Sequence, residues 1–259
     1  MGDINLTPMM KQYREAKEQI PPDAVLLFRL GDFYDDFFED AERVSSVLEL
    51  VLTRRQGYPM CGFPHHALDS YLPRLVAAGL KVAIAEQMED PKLAKGIVKR
   101  QITRIITPGT IVDNALLQAD CNNFLTALEM DKERWALASL DISTGEFRVT
   151  GGNAEEKLIT ELNRLGAREC VISNRLERFF DNDGKRPEPR EKLLWTSLDN
   201  DFFDPQFAEE YLCRHFEVAT MDGFGCRNLP LGLAAAGAVL RYATENLRQD
   251  ATHICKLEN

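Results

Sequence analysis

The sequence predicts two successive α/β domains, the first with a mixed sheet and the second opened by an antiparallel meander. Strand-like runs and helical periodicity alternate over the first 110 residues. Three strand-like runs joined by short polar turns follow, at NFLTALEM, WALASLDI and GEFRVTG. The 259 residues suffice for two modest hydrophobic cores.

In order along the chain, Thr7-Pro8 is a helix start, and MMKQYREAKEQI keeps helical periodicity until Pro21-Pro22 stops it. AVLLFRLG, 24–31, is a continuous apolar run closed by glycine, so a buried strand is expected. The chain then exposes Asp32-Phe33-Tyr34-Asp35 ahead of a helix in FYDDFFEDAERVSSVLEL, with Phe37, Phe38, Ala41 and Val44 near one face. Asp32 is positioned to cap that helix, and acids in a first turn suit its dipole. LVLTRR reads as strand and GYPMCGFPHH as a Gly/Pro-punctuated loop. Ala67–Gly79 reads as helix, kinked or restarted at Pro73. KVAIAEQ and IVKRQITRIITPG read as strands.

Thr110–Asn122 has no strong period and reads as a linker. After the meander come a helix over Ala154–Leu165, a strand at ECVIS and a charged, poorly periodic stretch over Asn182–Lys192. Helices near Pro205–Phe216 and in LPLGLAAAGAVLRYATENLR follow. A meander followed by α/β units predicts an RNase H-like arrangement for this second domain.

Composition narrows the function. Hydrophobic residues make up 44% and charged residues 28%, ordinary values for a globular chain. The apolar stretch Leu229–Leu240 is shorter than the ~20 residues of a membrane span. MGDINLTPMM lacks the basic and apolar regions of a signal peptide, so a cytoplasmic location is expected. The six cysteines form no CxxC pair, which argues for free thiols and against zinc. His65 and His66 are adjacent, not at helical i, i+4 spacing, and offer no metal site. No Walker A loop, GxGxxG or GxSxG is present.

The net charge of −10 is uneven, −2 over residues 1–113 and −8 over the remainder. Within the nearly neutral first part, Pro91–Arg104 carries Lys92, Lys95, Lys99, Arg100 and Arg104 and no acid. This basic stripe, with the Arg54-Arg55 pair, is the candidate phosphate-contacting surface. A merely solvated basic face is the competing reading. The RNase H-like meander also raises a metal-dependent nuclease, but Asp141 has only Glu169 and the distant Glu245 as candidate partners.

The unusual feature is two successive aromatics, Phe33 and Tyr34, at an element junction where polar residues ordinarily serve. One can be core and the other a stacking wedge. Around it, TPMMKQY, LLFRLGDFYDDFFEDA, LTRR, PMCGFPHHALDSYL, KVAIAEQMEDP, KGIVKRQITRIITPGT and LASLDISTGEF occur in that order. This succession resembles the N-terminal portion of bacterial MutS DNA mismatch repair proteins, and MDGFG and the last helix continue it.

The resemblance implies a mismatch-recognition domain over 1–110, a linker over 111–122, an RNase H-like connector over 123–250 and the opening of a further core domain over 251–259. It implies no enzyme in this chain and no cofactor, ATP and Mg belonging to an ATPase domain elsewhere in the family protein. Implied partners are double-stranded DNA with mismatches or small loops, a second copy through other domains, and a MutL-type protein on the connector. No membrane is implied.

In that family a Phe-x-Glu motif meets the mispaired base from the minor groove. Phe33 matches the Phe, whereas Asp35 stands where the family has Glu. A wedge needs a weakly paired step, because unstacking costs a few kcal/mol and a mismatch lowers that cost. Stacking returns ~1–3 kcal/mol on any base, so discrimination comes from deformability. Asp is shorter than Glu by one C–C bond, ~1.5 Å, which puts its base contact in question. An acid of the first helical turn is the competing reading of Asp35. For the whole chain the alternatives are the nuclease and an acidic partner-docking module with vestigial DNA contact.

Overall fold

The computed structural model describes residues 6–89, 96–111, 122–131, 134–183, 186–226, 229–248 and 250–258. The chain forms two compact units, Met1–Thr107 and Pro108–Asn259.

The first unit opens with α1 (Pro8–Lys17), with Pro8 at its first turn where a missing N–H is harmless. There follow β1 (Val25–Leu30), β2 (Phe33–Phe37), α2 (Phe38–Leu48), β3 (Thr53–Arg55), β4 (Tyr58–Pro64), α3 (Leu68–Ala77), β5 (Val82–Gln87) and β6 (Arg100–Ile106). The sheet order is β3-β4-β2-β1-β5-β6, and only β1 and β5 run parallel. Residues opposite one another in a ladder project to the same face. One face carries Leu26, Phe28, Phe37 and Ala85 under Met10, Tyr13 and Ala16 of α1. The other holds Cys61 against Ala41 of α2 and Phe63 against Tyr71 of α3.

Two sequence expectations give way here. Phe33–Phe37 is a strand rather than the start of a helix, hydrogen-bonded to β1 on one side and β4 on the other. GYPMCGFPHH is likewise mostly strand, with Pro59 and Pro64 at the second and last positions of β4, where a lost ladder donor costs least. Short strands rich in Asp, Gly and Pro have weak local preference, and their pairing comes from the neighbours.

In the second unit β7 (Phe124–Asp131), β8 (Arg134–Asp141) and β9 (Glu146–Gly152) make the expected meander. Then come α4 (Glu155–Leu165), β10 (Glu169–Ser173), α5 (Asn174–Asp183), β11 (Leu194–Leu198), α6 (Pro205–His215) and α7 (Pro230–Leu247). The sheet order is β11-β10-β7-β8-β9, with β10 parallel to both β7 and β11. Three antiparallel strands extended by two parallel ones constitute the RNase H-like order. Helix α5 and strand β11 flank the charged stretch that had shown no clear period.

Leu158, Leu162 and Leu176 pack on one face of this sheet, and Leu212 with most of α7 on the other. Tight packing requires Gly237 of α7, where a Cβ would stand 2.5 Å from the Cβ of Ala208 in α6.

Pro108, Gly109 and Thr110 belong to the second unit: Gly109 N–H donates to Glu169 at 3.1 Å, and Asn123 Nδ2 to Pro108 O at 3.0 Å. Most of the expected linker, 112–121, lies outside the described residues. Residues 251–258 pack on this unit. Ala251, Ile254 and Leu257 enter the core beside α7, and Glu258 exchanges backbone hydrogen bonds with Phe147 and Val149 of β9. Apolar residues three apart found a place on a core that local periodicity could not reveal.

Candidate nucleic-acid interface

Phe33 begins β2, just after a hairpin turn that needs Gly31 at φ +60°. The turn is anchored on both sides. Gly31 N–H donates to Gln87 Oε1 at 3.0 Å, and Asp32 O accepts the backbone N–H of His65 at 2.8 Å. Asp32 is therefore a turn residue and not a helix cap; α2 starts six residues later, at Phe38, with Phe37 as its N-cap.

Tyr34 and Phe33 lie on opposite faces of β2 and differ sharply in burial. Tyr34 points to the α2/α3 face, is 2% exposed, and donates its hydroxyl to Glu86 of β5. Arg29 completes that cluster, 3.7 Å from Glu86 and lying over the Tyr34 ring. Phe33 points to the α1 face but beyond the part α1 covers, and remains 44% exposed. An exposed ring on a doubly anchored hairpin is a rigid apolar projection.

Asp35 is two residues on, so it shares the Phe33 face. It is the third residue of β2 and not a first-turn helix acid, a role held by Glu39 and Asp40. It is nevertheless buried, 6% exposed. Loss of solvent pushes its carboxyl up to about 6, with Arg55 pulling the other way. Asp36 faces the opposite side, fully buried, and is held well above the usual carboxylate range by burial and by the nearby Asp40 and Asp35. The Cys61 thiol lies 3.8 Å from one of its oxygens.

Ladder register sorts the candidate phosphate contacts. Arg55 pairs with Tyr58, which puts it on the Phe33/Asp35 face; Arg54 pairs with Pro59 and projects to the other. Arg104 pairs with Ile84, also on the far face. Arg100 shares the Phe33 face, but its guanidinium is half-buried over Phe28 and bonded to Arg29 O at 2.5 Å and Gln12 Oε1 at 2.9 Å. It fastens α1 and β1 to β6, which leaves it little to offer a phosphate. Lys99 is exposed beside β6, and Lys95 lies outside the described residues.

The two acids that had raised nuclease chemistry are structural. One oxygen of Asp141 accepts Ser143 N–H at 2.9 Å and the Ser143 hydroxyl at 2.6 Å, closing the β8–β9 turn, while the other accepts Asn123 N–H at 3.2 Å. Glu169 accepts the hydroxyls of Thr196 at 2.7 Å and Tyr242 at 2.8 Å besides the Gly109 N–H. Among the described residues no group of three or more His, Cys, Asp or Glu is placed to hold a metal ion. No helix among them is long and apolar enough to cross a membrane.

An exposed, anchored aromatic on one α/β domain, followed by an RNase H-like domain whose carboxylates Asp141 and Glu169 serve the fold, defines a two-domain α/β protein of this kind. Family models agree: residues 7–115 match MutS domain I, and residues 123–255 match MutS domain II. The chain is 44% identical to the DNA mismatch repair protein MutS of Syntrophobacter fumaroxidans over 97% of its length, covering 29% of that protein. It is 42% identical to the protein of the same name from Thermosynechococcus vestitus, over 94% of this chain and 29% of the relative. The like-named protein of Syntrophomonas wolfei is 42% identical over 97% of this chain and 30% of its own length. The chain belongs to the MutS family, and spans somewhat under a third of the length of these relatives.

Proposed function

We propose that this chain reads mispaired or bulged double-stranded DNA as the recognition part of a MutS-type mismatch repair protein. The observation that carries the reading is Phe33, an exposed ring at the end of a hairpin anchored through Gly31 and Asp32 to its neighbours. Entering from the minor groove, the ring stacks on a base that a mispair has already loosened, at a step whose unstacking is least costly. Asp35, on the same face and with its carboxyl poised near neutrality, hydrogen-bonds to that base. Poised so, it can donate as an acid or accept as a carboxylate. Arg55 and Lys99 contact phosphates and hold the register without reading sequence.

In this reading the chain has no catalytic activity of its own and turns over no ATP. ATP and Mg, and pairing with a second copy, belong to other domains of the family protein. The second domain docks a MutL-type partner, and the protein works in the cytoplasm on chromosomal DNA. The deciding experiment compares G·T, one-base-bulge and fully paired duplexes by fluorescence anisotropy at low salt, where phosphate contacts are strongest. Wild type prefers the first two, and Phe33→Ala loses that preference. A variant that discriminates as well as wild type removes the wedge.

A further inference from the structure

Gly62 lies directly across the ladder from Asp35, the residue of β4 that faces it between β2 and β3. A Cβ at Gly62 would overlap Asp35 Oδ1 and stand 2.8 Å from the carbonyl oxygen of Tyr34. The carboxyl of Asp35 therefore does not project outward with Phe33. It lies down across β4, in the space where any other residue would carry a side chain. A glycine inside a strand otherwise weakens it, through entropy and lost packing, and commonly marks a close approach. Here the approaching group is a carboxylate two residues from an exposed ring.

We infer that Gly62 is a positioning residue of the mismatch site: its missing side chain forms the seat that holds the Asp35 carboxyl flat on the sheet beside Phe33. This deepens the proposed function and rests on it for the DNA step alone. The seat has two consequences. It removes the carboxyl from water, which accounts for its retention of a proton up to about pH 6. It also keeps the charge low on the surface, away from phosphates, until a base edge comes within reach of it. Arg55 of β3 shares the face and is the charged side chain whose field opposes that retention.

The test has a DNA-free arm and a DNA arm. By NMR, the Gly62 backbone resonances of wild type should shift with the Asp35 titration near pH 6 and stay flat in Asp35→Asn. Gly62→Ala should return the Asp35 carboxyl toward the ordinary range, near 4. In the DNA arm, Gly62→Ala should lower the G·T over G·C binding ratio by about tenfold when Asp35 is present, the loss of one hydrogen bond to a charged group. In an Asp35→Ala background it should change the ratio little, because the two residues act as one unit.

Gly62 resonances that ignore the titration overturn the seat, and this measurement needs no variant of Gly62 to fold. An equal loss of ratio in both backgrounds overturns it as well, since Gly62 would then act through the sheet. Phe33→Ala that leaves discrimination intact rejects the DNA reading but not the seat, so the two failures are distinguishable.

Discussion

Removing the Phe33 ring gives the sharpest test, because its neighbour is a built-in control. The ring is 44% exposed, and a phenylalanine side chain spans on the order of 200 Å², so about 90 Å² is open to a base. Covering that area at ~25 cal/mol per Å² returns ~2 kcal/mol, within the range measured for base–aromatic stacking. Phe33→Ala should therefore cut G·T binding by about 30-fold and matched binding far less. Stability in urea should fall by ~2–3 kcal/mol, since about 110 Å² of the ring is covered and is lost at the same ~25 cal/mol per Å², and the variant should stay folded. Tyr34→Ala, one residue on, should do the reverse. Its ring is 2% exposed and its hydroxyl ties β2 to Glu86, so the loss should be ~3–5 kcal/mol of stability. Binding titrations of G·T and G·C duplexes, with urea melts of both variants, decide the matter. Equal discrimination by Phe33→Ala and wild type refutes the reasoning, and so does an unfolded Phe33→Ala, which would mean the ring is core.

Asp35 makes a pH prediction. Its folded value, about 6, lies above the ordinary 3.8, so the native state holds the proton more tightly than the unfolded chain. Its favourable contribution is complete below about pH 4 and is lost as pH rises through 6. Asp35→Asn should accordingly gain ~1–3 kcal/mol relative to wild type between pH 4 and 7.5, read from paired urea melts; a constant difference across that range contradicts the burial argument. Asp35→Glu, with its longer stem, should raise the G·T over G·C ratio, while Asp35→Asn, on the same short stem, should lower it. Three equal ratios would remove Asp35 from the site. Arg55→Gln should flatten the salt dependence of all duplexes by ~0.9 in log–log slope, and Arg54→Gln, on the far face, should not. Glu169→Ala strands the Tyr242 and Thr196 hydroxyls and the Gly109 N–H, so a loss of at least ~3 kcal/mol is expected in a urea melt with no change in mismatch preference.

Long periodic segments were legible without a structure. MMKQYREAKEQI, the apolar run of β1, the meander and α7 each carry enough repeated residues for local pattern to dominate, and with them came the two-domain α/β class. The aromatic pair after Gly31 marked the candidate site because a second ring at a junction has no local use. Phe33 was singled out over Tyr34 by the family resemblance; the physical reason one ring is exposed and the other buried, a one-residue alternation across a strand, needed the sheet.

The remaining features depend on pairing between strands far apart in the chain. Strands β2 and β4 exist because each is paired on both sides, though Asp, Gly and Pro dilute their own preference. Register then placed Arg55 with Phe33 and turned Arg54 and Arg104 away, and burial converted Arg100 from a phosphate candidate into a fastening. Gly62 looked like loop punctuation until its partner across the ladder was known. Local pattern and residue identity were enough for the class of fold, for Phe33 as the candidate wedge and for the family the chain resembles. The faces, the buried carboxyl and its glycine seat were decided by the tertiary structure, because solvation and side-chain direction in a sheet depend on strands far apart in the chain.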